Sequence, residues 1–437
     1  MTWPAYPDYR ETDVYWLGLT PSSWSIERMS WLFNDISSGT TPESANLDFY
    51  DGDINWVTTG ELREKGITQT EKRVTPAALA TYSALKVYPA GTLLIAMYGA
   101  TIGRLGWLDA PACTNQACCA FANPKRVSSR FAYYSLSAAR DHLIVLASGG
   151  GQPNINQDKL RSLRIAVPSR PEQVAIVRFL DRETAKIDAL IAKQERLIAT
   201  LREDRTATIT HAVTKGLIPD AEIRESNLEG LGSIPTHWET APIKRLGEIR
   251  YGLGEPPAYV EVGTPLIRAT NVASGLIRED GMVYVNPDHI PSQRIFWLKV
   301  DDILVVRSGA YTGDSAIVVE KYEGAIAGFD MVLRVSKAVP AFIQYALLST
   351  YLKQGQIDIA RTRAAQPHLN AEELGCCVCI LPPLDEQQEI VDFLDRKTTQ
   401  IDELIAKAQQ VIATLREYRS TLITVAVTGK IDVRGVV

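Results

Sequence analysis

The 437-residue chain contains no run of 18 apolar residues, and its first ten residues, MTWPAYPDYR, show no basic stretch leading into an apolar one. The first absence argues against a membrane-spanning helix and the second against a secretory leader, so a cytoplasmic location is expected. Histidine is scarce: the five residues His142, His211, His237, His289 and His368 are scattered, with no serine or cysteine partner suggested for a nucleophilic site. The adenine-methyltransferase pattern Asn/Asp-Pro-Pro-Tyr/Phe is missing, because LPPL (381–384) and EPPA (255–258) lack both its acceptor and its aromatic ring. A phosphate-cradling G-x4-G-K-S/T loop is also missing, and the glycine-rich GGGQPN (149–154) stands outside any strand–loop–helix setting. It reads as a loop. The six cysteines (113, 118, 119, 376, 377 and 379) lie in apolar, strand-like runs and read as reduced, buried packing residues, with no metal site expected. Catalysis by this chain alone is not expected, and no cofactor is expected within it.

A strongly basic segment is lacking as well. Residues 1–165 carry 15 basic and 15 acidic side chains, 166–216 carry 9 and 7, 217–380 carry 15 and 20, and 381–437 carry 7 and 9. A nucleic-acid binder of this balance, with net charge −5, would share the electrostatic work with a partner.

What the chain does have is a repeat. Residues 168–214 and 382–428 match at 28 of 47 ungapped positions, a shift of 214 residues. The same shift pairs RETDVYWLGLTPSSW (10–24) with RESNLEGLGSIPTHW (224–238), and Gln152, Pro153 and Asn156 with Gln366, Pro367 and Asn370. Between these anchors the match is faint: GATIG (99–103) answers GAYTG (309–313), and SSGTTPE (37–43) answers YGLGEPP (251–257). Residues 1–9 and 429–437 both fall opposite 215–223, as in a closed ring cut once. That closure, with the start at Met1, argues against a truncated chain. The domains expected are 1–167, 217–381, and two constant segments at 168–216 and 382–437.

The constant segments are helical. From Glu172 to about Ala207 there is no glycine or proline, and apolar residues recur in three- and four-residue steps at Ile176, Phe179, Leu180, Ile187, Leu190, Ile191, Leu197, Ile198 and Leu201. The second copy repeats the pattern from Ile390 to Leu415, and Gly216 and Gly429 mark the stops. Each helix is expected to run roughly 36 residues, about 54 Å. Its natural mate is the other copy, in a coiled coil. Because each variable unit directly precedes its helix, antiparallel pairing is the economical connection. The expected fold is α+β: two globular α/β domains separated by a long antiparallel two-helix coiled coil with approximate two-fold symmetry. Two similar but diverged modules on a rigid spacer suit two unlike half-sites at fixed spacing on a linear partner.

The repeated PxxEQxxIVxFLDxxTxxIDxLI (with Ser169 at its first position in the first copy), the leading LGxxPxxW element and SGTTP together resemble the specificity subunit of type I restriction–modification systems, over essentially all 437 residues. Two departures are TDVYWLG, where the family has an SG-x-x-W-L/I-G type run, and YGLGEPP in place of SGTTP. The resemblance implies target recognition domains that read a bipartite, asymmetric double-stranded DNA. It also implies two methyltransferase (modification) subunits docked on the spacer, with S-adenosylmethionine held by them, and restriction subunits able to join. Alternatives are the recognition part of a fused restriction–methyltransferase, or a protein-binding coiled-coil scaffold without DNA binding.

Base edges and phosphates are read by Arg, Lys, Asn, Gln, Ser and Thr, with aromatic support. Candidates in turns around strands are Thr58, Thr59, Lys65, Lys72, Arg73, Tyr98, Arg104 and Gln152 in the first unit. In the second they are Arg268, Thr270, Asn271, Arg307, Tyr311, Arg361, Arg363 and Gln366. GATIG and GAYTG, being shared, are expected to form a structural turn, and Trp24 and Trp238 to anchor cores. The apolar face of each helix is expected to join the copies and the polar face to dock partner subunits.

Overall fold

The computed structural model describes residues 3–147, 154–226, 228, 231–361 and 368–435, with Arg361 described by its backbone alone. The chain forms two compact units, Met1–Gln194 with Gln410–Val437, and Glu195–Gln409. Both divisions fall inside the long helices α1 (Arg170–Lys215) and α2 (Leu384–Val427).

In the first unit, strands β1 (Phe33–Ser38), β3 (Leu93–Ala96), β4 (Leu105–Leu108) and β6 (Cys118–Pro124) build a sheet in the order β1-β6-β3-β4, extended by the short strand Gly66–Ile67. A smaller sheet joins β2 (Tyr50–Val57) to β5 (Ala112–Thr114) in parallel and to Arg73–Val74 in antiparallel fashion. The second unit repeats this plan. Strands β7 (Gly247–Tyr251), β9 (Ile303–Val305), β10 (Ser315–Ile317) and β12 (Met331–Val335) run in the order β7-β12-β9-β10. There too, β8 (Thr264–Ile267) pairs in parallel with β11 (Ile326–Ala327).

The uninterrupted apolar runs follow from burial on both sheet faces. Successive side chains point to opposite sides, so Leu93, Ile95, Cys119 and Phe121 enter the main core while Leu94, Ala96, Cys118 and Ala120 enter a second one. In the second unit Ile303, Val305, Met331 and Leu333 face one core, and Leu304 and Val332 the other. Five cysteines are buried as expected; burial pushes the Cys113 thiol up to about 11 and that of Cys119 to about 12, keeping them protonated. Cys376 departs from expectation and is exposed, because it closes the helix Ala371–Cys376 before strand Val378–Leu381 begins.

The long helices exceed the expected 36 residues: α1 has 46 and α2 has 44, so α1 runs about 69 Å rather than 54 Å. The added turns are the threonine-rich ends, TATITHAVTK in α1. Their hydroxyls fold back on the helix: Thr214 donates to the Thr210 carbonyl at 2.6 Å and Thr428 to that of Thr424 at 2.7 Å. Ile209, Ala212 and Val213 meanwhile carry the buried stripe to the glycine stop.

Within the first unit, the start of α1 and the end of α2 pack antiparallel. Ile176, Phe179 and Leu180 share a core with Leu422, Ile423 and Val427, and Arg419 donates to Asp188 at 2.9 Å. Within the second unit, Ile390 and Leu394 share a core with Ile209 and Val213, and Arg205 donates to Asp402 at 3.1 Å. The two bridges are the same pair under the 214-residue shift, with the donor and acceptor helices exchanged. Beyond the expected pairing of the copies, the start of each helix is also built into the globular core of its own unit.

That seating uses the polar residues of the repeated motif. Trp24 Nε1 donates to Glu172 at 3.4 Å and Trp238 Nε1 to Glu386 at 3.1 Å, both indoles being buried as expected. Buried Gln173 accepts from Ser128 N and donates to the carbonyls of Arg126 and Pro168; buried Gln387 accepts from Val339 N and donates to Pro382 O. Tyr134 Oη donates to Asp181 and Tyr345 Oη to Asp395, both at 2.6 Å. This part of the polar face is therefore bound within its own unit rather than free to dock partners. Gln387→Leu should lower stability by about 2–3 kcal/mol, since it leaves the Val339 N–H and the Pro382 carbonyl without their partner. Urea denaturation followed by tryptophan fluorescence checks this, with neighbouring exposed Gln388→Leu expected to change it by less than about 0.5 kcal/mol.

Candidate nucleic-acid interface

The shared framework carries its candidate residues at strand ends. Gly39 and Gly252 hold the loops entering the smaller sheets, where the backbone passes so close that a Cβ would sit 1.7 Å from Thr114 O and 2.1 Å from Gly328 O respectively. Only glycine fits either place, so YGLGEPP does the steric work of SGTTP despite its different letters. The GATIG and GAYTG turns are structural as expected: Gly103 (φ 75°) and Gly313 (φ 85°) close them by donating to Ala96 O and Val306 O.

In the first unit, Thr58 and Thr59 open a 3-10 turn, Thr59–Glu61, at the end of β2. Glu61 accepts from the N–H groups of Thr58 (2.8 Å) and Glu71 (2.9 Å), which brings exposed Lys72 and half-buried Arg73 to the same sheet end. Exposed Lys65 and Arg104 form a second group, because Glu64 N donates to Leu105 O and their backbones adjoin there. Half-buried Tyr98 pairs with Asn154, just beyond the residues around Gln152. Gln152 lies outside the described residues. Polar side chains absent from the sequence candidates crowd around Gly39: Thr41 donates to Gln116 at 2.5 Å and Gln157 to Ser38 at 2.7 Å. The SGTTP motif itself was the available signal.

In the second unit, Arg268 precedes the equivalent turn, Ala269–Asn271, with Thr270 exposed on it. Asn271 is not a reader. It is fully buried, its Oδ1 accepts from Arg268 N, and its Nδ2 donates to the carbonyls of Arg278 and Asp280. Its amide is consumed holding the loop. Arg268 donates to Gly281 O at 2.7 Å and lies 5.6 Å from the Tyr259 ring centre. The Arg307 guanidinium sits between aromatic faces, 4.1 Å from the Phe329 ring centre and 4.6 Å from that of Tyr251. Tyr311 is exposed at the β9–β10 turn. Arg363 and Gln366 lie outside the described residues, as does the side chain of Arg361. The chain resumes beside the others, with His368 bridging to Ser308 and Leu369 N donating to Arg307 O.

Arg268, Ser308, Phe329 and Asp330 surround a cavity of about 170 Å³ floored by Leu253 and Leu266. Asp330 is buried; its Oδ1 accepts from Arg307 N, while its Oδ2 and the Nε atoms of Arg268 and Arg307 have no hydrogen-bond partner among the described residues. Burial pushes the Asp330 carboxyl up to about 6, against the opposing pull of the Arg307 N–H and guanidinium. The cluster therefore offers cationic planar donors, an aromatic face and a carboxyl near neutrality, a set suited to base edges and phosphates. Phe329 and Asp330, missed in the sequence, follow β11 where Gln116 and Ala117 follow β5. Among the described residues no helix is long and apolar enough to cross a membrane, and no group of three His, Cys, Asp or Glu residues could hold a metal.

A family model, the type I restriction modification DNA specificity domain, matches residues 21–199 and again 235–414. The chain belongs to this family. It is a type I specificity subunit, the component with the DNA target recognition role, carrying two repeated domains. Similar curated proteins are the MjaIX specificity subunit of Methanocaldococcus jannaschii, 23% identical over 98% of this chain and 97% of that one, and the EcoKI specificity subunit of Escherichia coli K12, 21% identical over 95% and 90%. A solved chain described under complex assembly and conformational transition of the type I R-M system shares the fold, with a TM-score of 0.63 at 16% identity over 93% of this chain and 98% of that one.

The Asp330 carboxyl gives a pH signature. The unfolded chain releases this proton in the ordinary carboxylate range near 4, and the folded unit releases it only near 6. Below pH 4 the group contributes nothing; between about 4 and 6 its contribution turns destabilising, and above 6 it is constant. Relative to Asp330→Asn, the wild type should lose up to roughly 3 kcal/mol between pH 4 and 7. Urea midpoints of both proteins across that range measure it; parallel profiles would contradict a buried ionised carboxylate.

Proposed function

We propose that this specificity subunit is non-catalytic and reads a bipartite, asymmetric DNA target, one half-site per unit. Residues 1–167 and 217–381 act as recognition domains, and 168–216 and 382–437 as the spacers that set half-site separation. The observation that carries the reading is that one framework presents different side chains at matched positions. Thr58 and Arg268 precede the same 3-10 turn. Met97 and Arg307 offer the same carbonyl, to Ile155 N and Leu369 N respectively, and Gln116 and Phe329 follow the same parallel strand. Readers that differ on an unchanged scaffold are what two unlike half-sites require.

The modification subunits, two of them, dock on the long helices and hold the S-adenosylmethionine; this chain needs no cofactor and works in the cytoplasm. Supporting the docking are large apolar residues left exposed on the helices, Leu190 and Val411 in the first unit and Leu197 and Leu404 in the second. These replace the expected polar face as the docking element. Neither alternative from the sequence is favoured over this reading.

Adenine-methylation mapping in cells with and without the chain supplies the target. On that DNA, Arg268→Ala in the assembled complex should weaken binding about 10- to 100-fold, the worth of one good base contact, and relax discrimination in one half-site only. Fluorescence anisotropy with each half-site scrambled separately checks it; equal loss of discrimination in both halves would contradict one reader per half. Leu190→Asp with Val411→Asp should reduce capture of the modification subunit at least tenfold in pull-down titrations while thermal melting stays unchanged. Undiminished capture would move the dock elsewhere.

A further inference from the structure

The two ends of the chain give the first unit a part that the second does not have. Beyond α2, Ile431 and Val433 turn into the core of the first unit, and Asp432 N donates to Pro4 O at 2.7 Å. That bond lays the tail beside the N-terminal segment. Trp3 then meets the Phe179 ring edge-on with centres 4.9 Å apart, and Phe179 is fully buried. Tyr6 completes the layer, edge-on to Trp24 at 5.5 Å with Arg434 over its face at 4.8 Å. Two separate segments therefore cover the helix end in the first unit.

In the second unit a single segment, residues 217–223, stands opposite both. Leu217 corresponds under the 214-residue shift to Trp3 and equally to Ile431, and one residue cannot fill two places. It fills neither: Leu217 and Ile218 are exposed, with Ile223 also exposed at 61%. Phe393, the counterpart of Phe179, is only half-buried and lines an open groove of about 1020 Å³ together with Ala207, Thr208, His211 and Ile218. No aromatic partner covers Phe393 among the described residues. The groove is apolar, and its walls belong to the second unit alone.

We propose that this groove receives an extended segment of a partner polypeptide that sets a tryptophan ring on Phe393, as Trp3 does on Phe179. The first unit supplies the template for the occupant: a short extended stretch, Trp-Pro in sequence, running beside the chain that leaves the long helix. Aromatic edge contacts and removal of exposed apolar surface provide the attraction. The site is independent of which DNA the chain reads.

The test uses the full chain and a fluorescein-labelled synthetic peptide of residues 3–9, WPAYPDY, measured by anisotropy. The peptide should bind, and replacing its tryptophan with alanine should weaken binding at least tenfold. Ala207→Arg, which places a long side chain at an exposed helix position on the groove wall, should weaken it comparably with unchanged circular dichroism and melting. Phe393→Ala should do the same by removing the ring. Absence of binding, equal binding of both peptides, or indifference to Ala207→Arg would each overturn the proposal. Sedimentation of the peptide-free chain separates the remaining occupant: self-association abolished by Trp3→Ala and by Ala207→Arg would mean a second copy fills the groove, and would overturn its assignment to a partner.

Discussion

Each unit is organised around a glutamine buried in the first turn of a long helix. Gln173 and Gln387 carry their amides where water cannot reach, and an unpaired amide there would cost several kcal/mol. Each is satisfied by backbone groups from elsewhere in its unit: the N–H of Ser128 or Val339, which begin the next-layer helices, and the carbonyl of Pro168 or Pro382, which directly follow the preceding strand. Helix, strand end and second helix are thereby fixed to one point. The neighbouring Glu172 and Glu386 add the indoles of Trp24 and Trp238 to the same joint.

The repeated polar motif follows from that joint. Several of its charged and polar positions are held by partners rather than left to solvent alone. Asp181 and Asp395 take tyrosine hydroxyls, while Asp188 and Asp402 take arginines of the opposite helix. A segment with this many matched partners tolerates little change, whereas the strand ends that carry Thr58, Met97 and Gln116 in one unit carry Arg268, Arg307 and Phe329 in the other while the strand order β1-β6-β3-β4 recurs as β7-β12-β9-β10. Constancy in the chain thus maps onto the joint, and divergence onto the strand ends.

The break in the repeat has its own consequence. A closed pattern cut once gives one unit two segments at the helix end and the other unit only one. The same phenylalanine is covered by Trp3 in the first case and lines an open groove in the second.

Period and spacing alone determined the doubled architecture, the helical nature of the constant segments, their glycine stops, the buried tryptophans and the structural GATIG turn, because each is a local or repeated property. The antiparallel pairing was legible from connectivity. Full helix length is not legible in the sequence, because the threonine-rich ends are poor helix formers until their hydroxyls bond within the helix. Tertiary structure alone decided which polar residues are spent and which are free. Asn271 and Thr270 are neighbours with similar chemistry in sequence, yet one is buried holding a loop and the other is exposed. Phe329 and Asp330 carry no motif; they matter because the end of a parallel strand places them against Arg307 and Arg268. Whether a side chain can read a base depends on what its other atoms already hold, and only the folded chain settles that.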